Sequence, residues 1–231
     1  MTGSTTCMVS VWNKNKVFLS LSLILVAVLG LALLYIPKGE LHLLLCTRHA
    51  PARDIFYRYY TTIAEWLPYV VCVALILFAR IGDGIFASSA MILSSLSTQV
   101  LKHLVNAPRP LTWFAEHMPE SPLPLLEGVR MNLWHSFPSG HTTSFFALAL
   151  VASILLTSLH RVPRTPRILV QIILFALATL GAYSRIYLSQ HFALDVFAGI
   201  LVGILITLVC YAVLHPYEDQ KWYNYRLFTK K

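Results

Sequence analysis

The sequence predicts an all-helical membrane protein with six membrane-spanning helices. Residues of the set AVILMFWYC make up 57% of the 231 residues and charged residues only 12%, whereas soluble domains carry about 25% charged residues. The mean hydropathy is +0.65, and a soluble fold of this length could not bury so much apolar surface. The composition therefore excludes disordered, collagen-like, coiled-coil and disulfide-stapled secreted proteins.

Six apolar runs are long enough to cross a bilayer, which takes about 20 mostly apolar residues in a helix. The predicted spans are residues 17–36, 62–79, 84–101, 142–159, 168–187 and 192–214. The first run is longer than the apolar core of about 7–15 residues in a signal peptide, so we expect a retained helix. No repeat, low-complexity tract or linker separates the runs, and residues 1–231 are predicted to form one domain.

Two connecting segments are long. Residues 37–61 combine an apolar stretch with several aromatic side chains, a composition that suits the membrane interface. Residues 102–141 contain six prolines and are therefore predicted to be loop with short helical pieces.

The charge distribution predicts an orientation in the membrane. Six spans place both termini on one side, with ten lysines and arginines there and eight on the other side. Three of the eight, Lys102, Arg109 and Arg185, belong to the motifs described next, and setting them aside leaves ten against five. Because cytoplasmic loops are enriched in lysine and arginine, both termini are predicted to be cytoplasmic.

Three polar motifs lie at the ends of predicted spans. The segments after the third and the fifth span are on the same side of the membrane, so the motifs can converge on one face, outside the cytoplasm in the predicted orientation. The motifs are Lys102 with Arg109 and Pro110 after the third span, Pro138 to His141 before the fourth, and Ser184, Arg185, His191 and Asp195 between the fifth and the sixth.

The first two motifs each have a structural and a functional interpretation. Lys102 and Arg109 could reach lipid headgroups from a helix end, or they could clamp an anion, with the arginine as a planar fork and the lysine as a point charge. Ser139 could be an ordinary helix cap, or the Ser139-Gly140 backbone could hold a phosphate at the helix N-terminus. His141 would then be placed to donate or accept a proton.

The third motif is the most specific of the three. His191 and Asp195 are four residues apart and share one face of a helix. A carboxylate bonded to one imidazole nitrogen fixes the tautomer and leaves the other nitrogen as a nucleophile or base. Arg185 adds a cation nearby, although a capping aspartate beside a solvated histidine is the structural alternative.

A metal site is not predicted. His141, His191 and Asp195 could ligate zinc, but three cations around the pocket would repel a divalent metal and attract an oxyanion. The four cysteines lack metal-site spacing and give no disulfide framework. The net charge of +8 is explained by orientation and an anionic ligand, and not by nucleic acid. Two further polar residues, Glu65 and Tyr183, could line the pocket, but structural packing is the favoured expectation for both.

The three motifs together resemble those of the type 2 phosphatidic acid phosphatase (PAP2) superfamily of membrane lipid phosphatases, which shares its site with vanadium haloperoxidases. The family pattern K-x6-R-P, P-S-G-H and S-R-x5-H-x3-D is complete in this sequence. The resemblance implies a PAP2/haloperoxidase-like helical bundle and no cofactor.

The resemblance also implies a role for each motif residue. His191 would attack phosphorus and form a phosphohistidine, Asp195 would orient His191, and His141 would protonate the leaving oxygen and then activate water. The phosphate oxygens would be bound by Lys102, Arg109, Ser139, Gly140 and Arg185.

The sequence therefore predicts metal-independent hydrolysis of a phosphate or pyrophosphate on a membrane lipid, in a bacterial inner or plasma membrane. Undecaprenyl pyrophosphate and lipid A phosphates are the favoured substrates, and phosphatidate or phosphatidylglycerol phosphate is a third class, because the motifs recognise only the phosphate. A phosphotransferase using the same phosphohistidine remains an alternative. An anion transporter is disfavoured because the spans are nearly free of charge between their ends.

Overall fold

The regular structure consists of helices. The computed structural model describes residues 2–46, 49–121, 123–158 and 164–228, and no strand occurs in these ranges. The helices are α1 (Thr2–Tyr35), α2 (Lys38–Cys46), α3 (Pro51–Tyr60), α4 (Ile63–Phe78), α5 (Ile81–Val105), α6 (Pro110–His117), α7 (Gly140–Ser158), α8 (Arg164–Tyr187) and α9 (Ala193–Leu214), and a short 3-10 turn (His215–Tyr217) follows. The predicted all-helical class is confirmed.

Six helical segments are long and apolar enough to cross a membrane. They contain α1, α4, α5, α7, α8 and α9, which correspond to the six predicted runs. The predicted fourth run ends at residue 159, which lies outside the described residues. The first run was predicted to begin at residue 17, after two lysines, but the apolar segment begins at Val9. Lys14 and Lys16 lie inside the helix, because single charged residues do not end a helix.

The long segment between α1 and α4 contains α2 and α3, and the segment between α5 and α7 contains α6. Asn106 directly follows α5 and has a left-handed φ of 41°, a conformation that asparagine adopts more readily than most residues. The chain then reaches Pro110 at the first turn of α6, where a proline costs no hydrogen bond.

The fourth span, α7, is the centre of the bundle. It packs against α1, α4, α5, α8 and α9, and 61% of residues 140–157 are buried, more than in any other span. The neighbouring α9 approaches it closely: a Cβ on Gly199 would lie 2.8 Å from the carbonyl oxygen of Ser139, and one on Gly203 would lie 2.6 Å from that of Thr143. Small residues of this kind permit close backbone contact between membrane helices. They hold the beginnings of α7 and α9 side by side.

The buried side-chain amide of Gln171 forms hydrogen bonds with the backbone of α1 where that helix is irregular. Asn15 has non-helical angles (φ −116°, ψ 20°), which interrupts the helical hydrogen bonds. The Gln171 side chain of α8 replaces them, because its Oε1 accepts from the backbone N of Val17 and Phe18 at 3.1 Å and its Nε2 donates to Lys14 O at 2.9 Å. Backbone groups inside a membrane must be satisfied within the protein, so this contact ties α1 to α8.

Candidate active site

The three motifs meet at one end of the bundle. They occupy the end of α5 and the residues after it, the beginning of α7, and the turn between α8 and α9. Two backbone hydrogen bonds tie the segments together: Ser136 N donates to Ala107 O, and Ser139 N donates to Asp195 O, both at 3.0 Å. The three motifs are distant in sequence, and close helix packing together with these hydrogen bonds brings them to one place.

His191 and Asp195 form a buried pair. The two residues are 1% and 4% exposed, and His191 Nδ1 lies 3.4 Å from Asp195 Oδ2. The same oxygen accepts from the backbone N of Phe192 at 2.9 Å and from the Ser136 hydroxyl at 2.5 Å. Asp195 therefore caps α9 as well as contacting the imidazole, and the histidine beside it is buried rather than solvated. The imidazole Nε2 is the nitrogen that does not face the carboxylate.

The surroundings of His191 favour the neutral form of its imidazole. Burial lowers the pKa of its imidazole to about 3; the contact with Asp195 raises it, and Arg109 and Arg185 lower it further. A neutral imidazole whose Nδ1 faces a carboxylate keeps its proton on that nitrogen and leaves a lone pair on Nε2.

Two buried arginines stand beside this pair, and each is 6% exposed. Arg109 donates from Nε to Trp134 O at 3.0 Å and from Nη1 to both Gln190 O and Gln190 Oε1 at 3.2 Å. Arg185 donates from Nη1 to the Thr61 hydroxyl at 2.7 Å, while its buried Nε has no hydrogen-bond partner among the described residues. Buried donors normally have partners, so this N–H is available to donate to a bound acceptor.

The beginning of α7 supplies the second motif. Ser139 is fully buried, and its Oγ accepts from the Thr142 hydroxyl at 3.0 Å and the Thr142 backbone N at 3.4 Å. It therefore caps the helix, and neither contact uses its own hydroxyl proton. A Cβ on Gly140 would lie 3.9 Å from Lys102 Nζ, so the lysine faces this helix N-terminus.

His141 completes the cluster. Its imidazole is within electrostatic reach of Lys102, Arg109, Arg185 and His191. Its Nε2 lies 3.1 Å from Glu65 Oε1. The structure thus brings all eight predicted site residues together: three cations, two histidines, one carboxylate and the Ser139-Gly140 turn.

Several residues of the site were not predicted. For Glu65 structural packing was favoured over a position lining the pocket, but its side chain is 62% exposed and contacts His141, which agrees with the second alternative. A carboxylate inside an apolar run was the available signal. Ser136, Gln190 and Lys38 had no recognisable pattern. Lys38 Nζ lies 3.9 Å from the centre of the Phe192 ring, and burial lowers the pKa of this lysine while Asp195 raises it. Tyr183 donates to Leu45 O at 2.9 Å, a structural contact.

A buried histidine supports the turn that carries His191. His42 Nε2 lies 3.2 Å from the Ser189 hydroxyl, and its ring packs against Phe192 with 5.1 Å between ring centres. Burial lowers the pKa of His42 to about 4, although Asp195 raises it. It is therefore neutral and does not add to the positive charge of the site.

Six apolar helices among the described residues, with a cluster of cations and histidines at one end, define an integral membrane protein. The family model described as the PAP2 superfamily matches residues 83–218. The chain belongs to the PAP2 superfamily and is an enzyme of the phosphatase type found in it.

Individual relatives agree with this assignment. The chain is 27% identical over 181 residues to the lipid A 4'-phosphatase of Porphyromonas gingivalis, which covers 74% of this chain and 70% of the relative. It is 31% identical over 100 residues to the putative undecaprenyl-diphosphatase YbjG of Escherichia coli. That match covers 41% of this chain and 46% of the relative, so the chain spans less than half the length of YbjG.

Two crystal structures are similar. LpxE of Aquifex aeolicus is 29% identical, with a TM-score of 0.56, and the match covers 74% of this chain and 92% of LpxE. The PAP2-type phosphatidylglycerolphosphate phosphatase of Bacillus subtilis is 19% identical, with a TM-score of 0.58 and coverage of 90% and 99%. At 19% identity, the similarity to the Bacillus subtilis protein shows the fold alone.

Proposed function

We propose that the chain removes a phosphate group from a membrane lipid through a phosphohistidine formed on His191. The observation that carries the proposal is the pairing of His191 Nδ1 with Asp195 at 3.4 Å, beside three cations. A carboxylate-oriented neutral imidazole is a nucleophile, and the cations favour an anionic phosphoryl group. The resemblance of the motifs gives the same roles to the same residues.

In the first half of the reaction, the Nε2 lone pair of His191 attacks phosphorus. The bond between phosphorus and the leaving oxygen breaks, and His141 gives that oxygen a proton, so a lipid alcohol departs. With a diphosphate substrate, the departing group is a lipid monophosphate. The phosphohistidine carries positive charge on its ring, and Asp195 stabilises it.

In the second half, His141 has lost its proton and acts as a base. It removes a proton from a water molecule, whose oxygen attacks phosphorus while the P–N bond breaks. Inorganic phosphate leaves, His191 regains its lone pair, and His141 is again protonated. Using one group first as acid and then as base requires no other proton carrier.

The cations stabilise the charge on the transferred phosphoryl group. Lys102, Arg109 and Arg185 stand around the imidazoles, and the unpartnered Nε of Arg185 offers a donor to one phosphate oxygen. The Gly140 amide at the N-terminus of α7 and the Ser139 hydroxyl are further donors. Phosphoryl transfer is catalysed mainly by positioning and by such preorganised charge.

An apolar groove supports a lipid substrate. A cavity of about 380 Å³ lies between α4, α5 and α7 and opens to the side of the bundle, lined by residues from Ala64 to Ile76 on α4 and from Ser88 to Leu96 on α5. On α4 it is about 18 Å long, at 1.5 Å per residue. The end of the cavity at Ala64 is the end next to the site. Ala64 precedes Glu65, which contacts His141, and the lining residue Ser144 lies one helical turn after His141. The tail can stay in the groove while the phosphate reaches His191.

Lipid A carrying a 4'-phosphate is the substrate that we favour, because the Porphyromonas gingivalis relative with that name is matched over 70% of its length. Undecaprenyl pyrophosphate is the next candidate, supported by the shorter match to the putative undecaprenyl-diphosphatase. We further propose that residues 1–231 form a single domain.

A phosphate-release panel on detergent-purified protein tests this proposal. Lipid A, undecaprenyl pyrophosphate and phosphatidylglycerol phosphate would be compared in excess EDTA, with the phosphorus labelled. We expect free phosphate from at least one lipid, no loss of rate in EDTA, and inhibition by vanadate, an oxyanion that suits the same cations. Loss of rate in EDTA with rescue by one metal would contradict the metal-free mechanism, and label on a lipid acceptor would indicate a phosphotransferase.

A substitution in the groove tests the role of the lipid tail. In Ser95→Trp, the indole fills part of the cavity, and loss of contact with about two methylene groups at ~0.8 kcal/mol each raises KM for a long-chain lipid roughly tenfold. Hydrolysis of p-nitrophenyl phosphate, which has no tail, should be unchanged. Leu93→Trp is the matched control, because Leu93 is 45% exposed on the same helix outside the groove. Equal KM values for the two variants would contradict a tail in the groove.

The lysine and arginine counts support a site that faces away from the cytoplasm, with both termini inside the cell. A cysteine at Ser121, in the segment between α6 and α7, should then react with a membrane-impermeant thiol reagent in intact cells. Protein without the added cysteine gives the background from the natural cysteines. Labelling only after lysis would reverse the orientation.

A further inference from the structure

Glu65 lies in none of the three motifs, yet it contacts the proposed general acid. It is in the first turn of α4, and its Oε1 is 3.1 Å from His141 Nε2. A carboxylate in a membrane-spanning segment is costly and is retained for a partner or a function. Structural packing does not explain it, since the side chain is 62% exposed.

The surroundings of His141 show what such a carboxylate can do. The imidazole is faced by Lys102 of α5, Arg109 after α5, Arg185 of α8 and His191 of the α8–α9 turn. Positive neighbours disfavour a protonated imidazole, but protonation of a lipid alkoxide requires the imidazolium form. The other carboxylate of the site, Asp195, is bonded to His191, Ser136 and Phe192. Glu65 is the negative group in contact with His141.

The structure also shows which nitrogen of His141 faces Glu65. Nε2 is the nitrogen of His141 that faces Glu65, and Glu65 follows Ala64 at the end of the apolar groove next to the site. With the lipid tail in the groove, as proposed above, this nitrogen is on the side from which the oxygen that joins the phosphate to the tail would approach. That oxygen is the leaving group in the proposed reaction.

We propose that Glu65 is a positioning residue that keeps His141 protonated and holds its Nε2–H toward the groove until the leaving oxygen of the substrate replaces it. The proposal rests on the proposed function. The proton stays on His141 while Glu65 accepts the hydrogen bond, and it passes to the lipid oxygen when the P–O bond breaks. In the second half His141 takes a proton from water, and Glu65 again stabilises the imidazolium. Glu65 itself gains and loses no proton.

The Glu65→Gln variant tests this role, because it keeps a hydrogen-bonding oxygen but loses the charge. First-turnover release of the leaving group would be measured on a lipid phosphate and on p-nitrophenyl phosphate, whose phenolate leaves without a proton. We expect the rate on the lipid to fall about 10²-fold, within the range of general acid catalysis, and the rate on p-nitrophenyl phosphate to change less than about threefold. The high-pH limb of the lipid rate should also move to lower pH.

Glu120→Gln is the matched control, because Glu120 is exposed between α6 and α7; its rates should equal those of the unmodified protein. Equal loss on both substrates in Glu65→Gln would indicate a structural role, and unchanged rates on both would remove Glu65 from the mechanism. Either outcome overturns the proposal. If the unmodified protein released phosphate from no lipid, the proposed function itself would fail, so the two failures can be told apart.

Discussion

Replacing His191 with alanine should lower phosphate release from the lipid substrate by about 10⁴-fold or more, the loss seen when the nucleophile of a catalytic constellation is removed. The imidazole is 1% exposed and it is the one paired with Asp195, so we expect no other side chain to replace it as the nucleophile. The measurement is the release rate from labelled lipid by purified protein. Removal of a buried ring leaves a cavity, and thermal unfolding should therefore be measured in parallel.

The phosphoenzyme gives a second measurement. Rapid denaturation during turnover should trap phosphate on the unmodified protein in an acid-labile, alkali-stable bond, and His191→Ala should trap none. His215→Ala is the control, because His215 follows α9 at the opposite end of the bundle and its loss should leave the rate unchanged. A folded His191→Ala protein with the unmodified rate would show that the nucleophile is another residue.

Replacing Asp195 with asparagine should lower the rate by about 10³- to 10⁴-fold, through the tautomer of His191. The carboxylate keeps the proton on Nδ1 and the lone pair on Nε2. An amide NH2 can donate to Nδ1 and so move the proton to Nε2, where it blocks attack on phosphorus; such a change costs about 10⁴-fold in a serine protease triad. The measurement is first-turnover release on p-nitrophenyl phosphate, which requires the nucleophile but no general acid.

Asp195 also caps α9, and a control must separate the two roles. One carboxylate oxygen serves His191, Phe192 N and Ser136, so an asparagine that turns its NH2 toward Nδ1 also gives up the bond from Phe192 N, and thermal unfolding should be measured in parallel. Ser136→Ala removes one hydrogen bond to the same carboxylate oxygen but leaves the charge, and it should cost about 10- to 100-fold, as expected for one hydrogen bond to a charged group. If the two variants lost the same activity, the hydrogen-bond network and not the tautomer would be responsible.

The helical class and the six apolar runs followed from composition and run length, because a bilayer imposes one length on each spanning helix. The ends of the helices were predicted less accurately from the sequence. α1 continues through Lys14 and Lys16 because Gln171, which is 154 residues away from Val17, supplies the hydrogen bonds lost at Asn15. No local pattern in the sequence of α1 indicates that a side chain of α8 supplies these hydrogen bonds.

The eight motif residues were selected from sequence because their spacing agrees with a family pattern; their roles stay predictions. For Glu65 the sequence favoured structural packing over a position at the pocket, because a single acidic residue near a helix start resembles an ordinary first-turn acid. Only the packing of α4 beside α7 shows that it reaches His141. Ser136 was missed because a serine in a loop has no periodicity to mark it.

The sequence by itself determined the class of protein, the approximate spans and the set of cations and histidines, since hydropathy and motif spacing are properties of short stretches of chain. The tertiary structure decided which groups touch. The approach of α9 to α7 at Gly199 and Gly203 joins two helix N-termini, and the contact of Glu65 with His141 joins the groove to the site. Such contacts depend on the relative placement of distant helices, which no local pattern encodes.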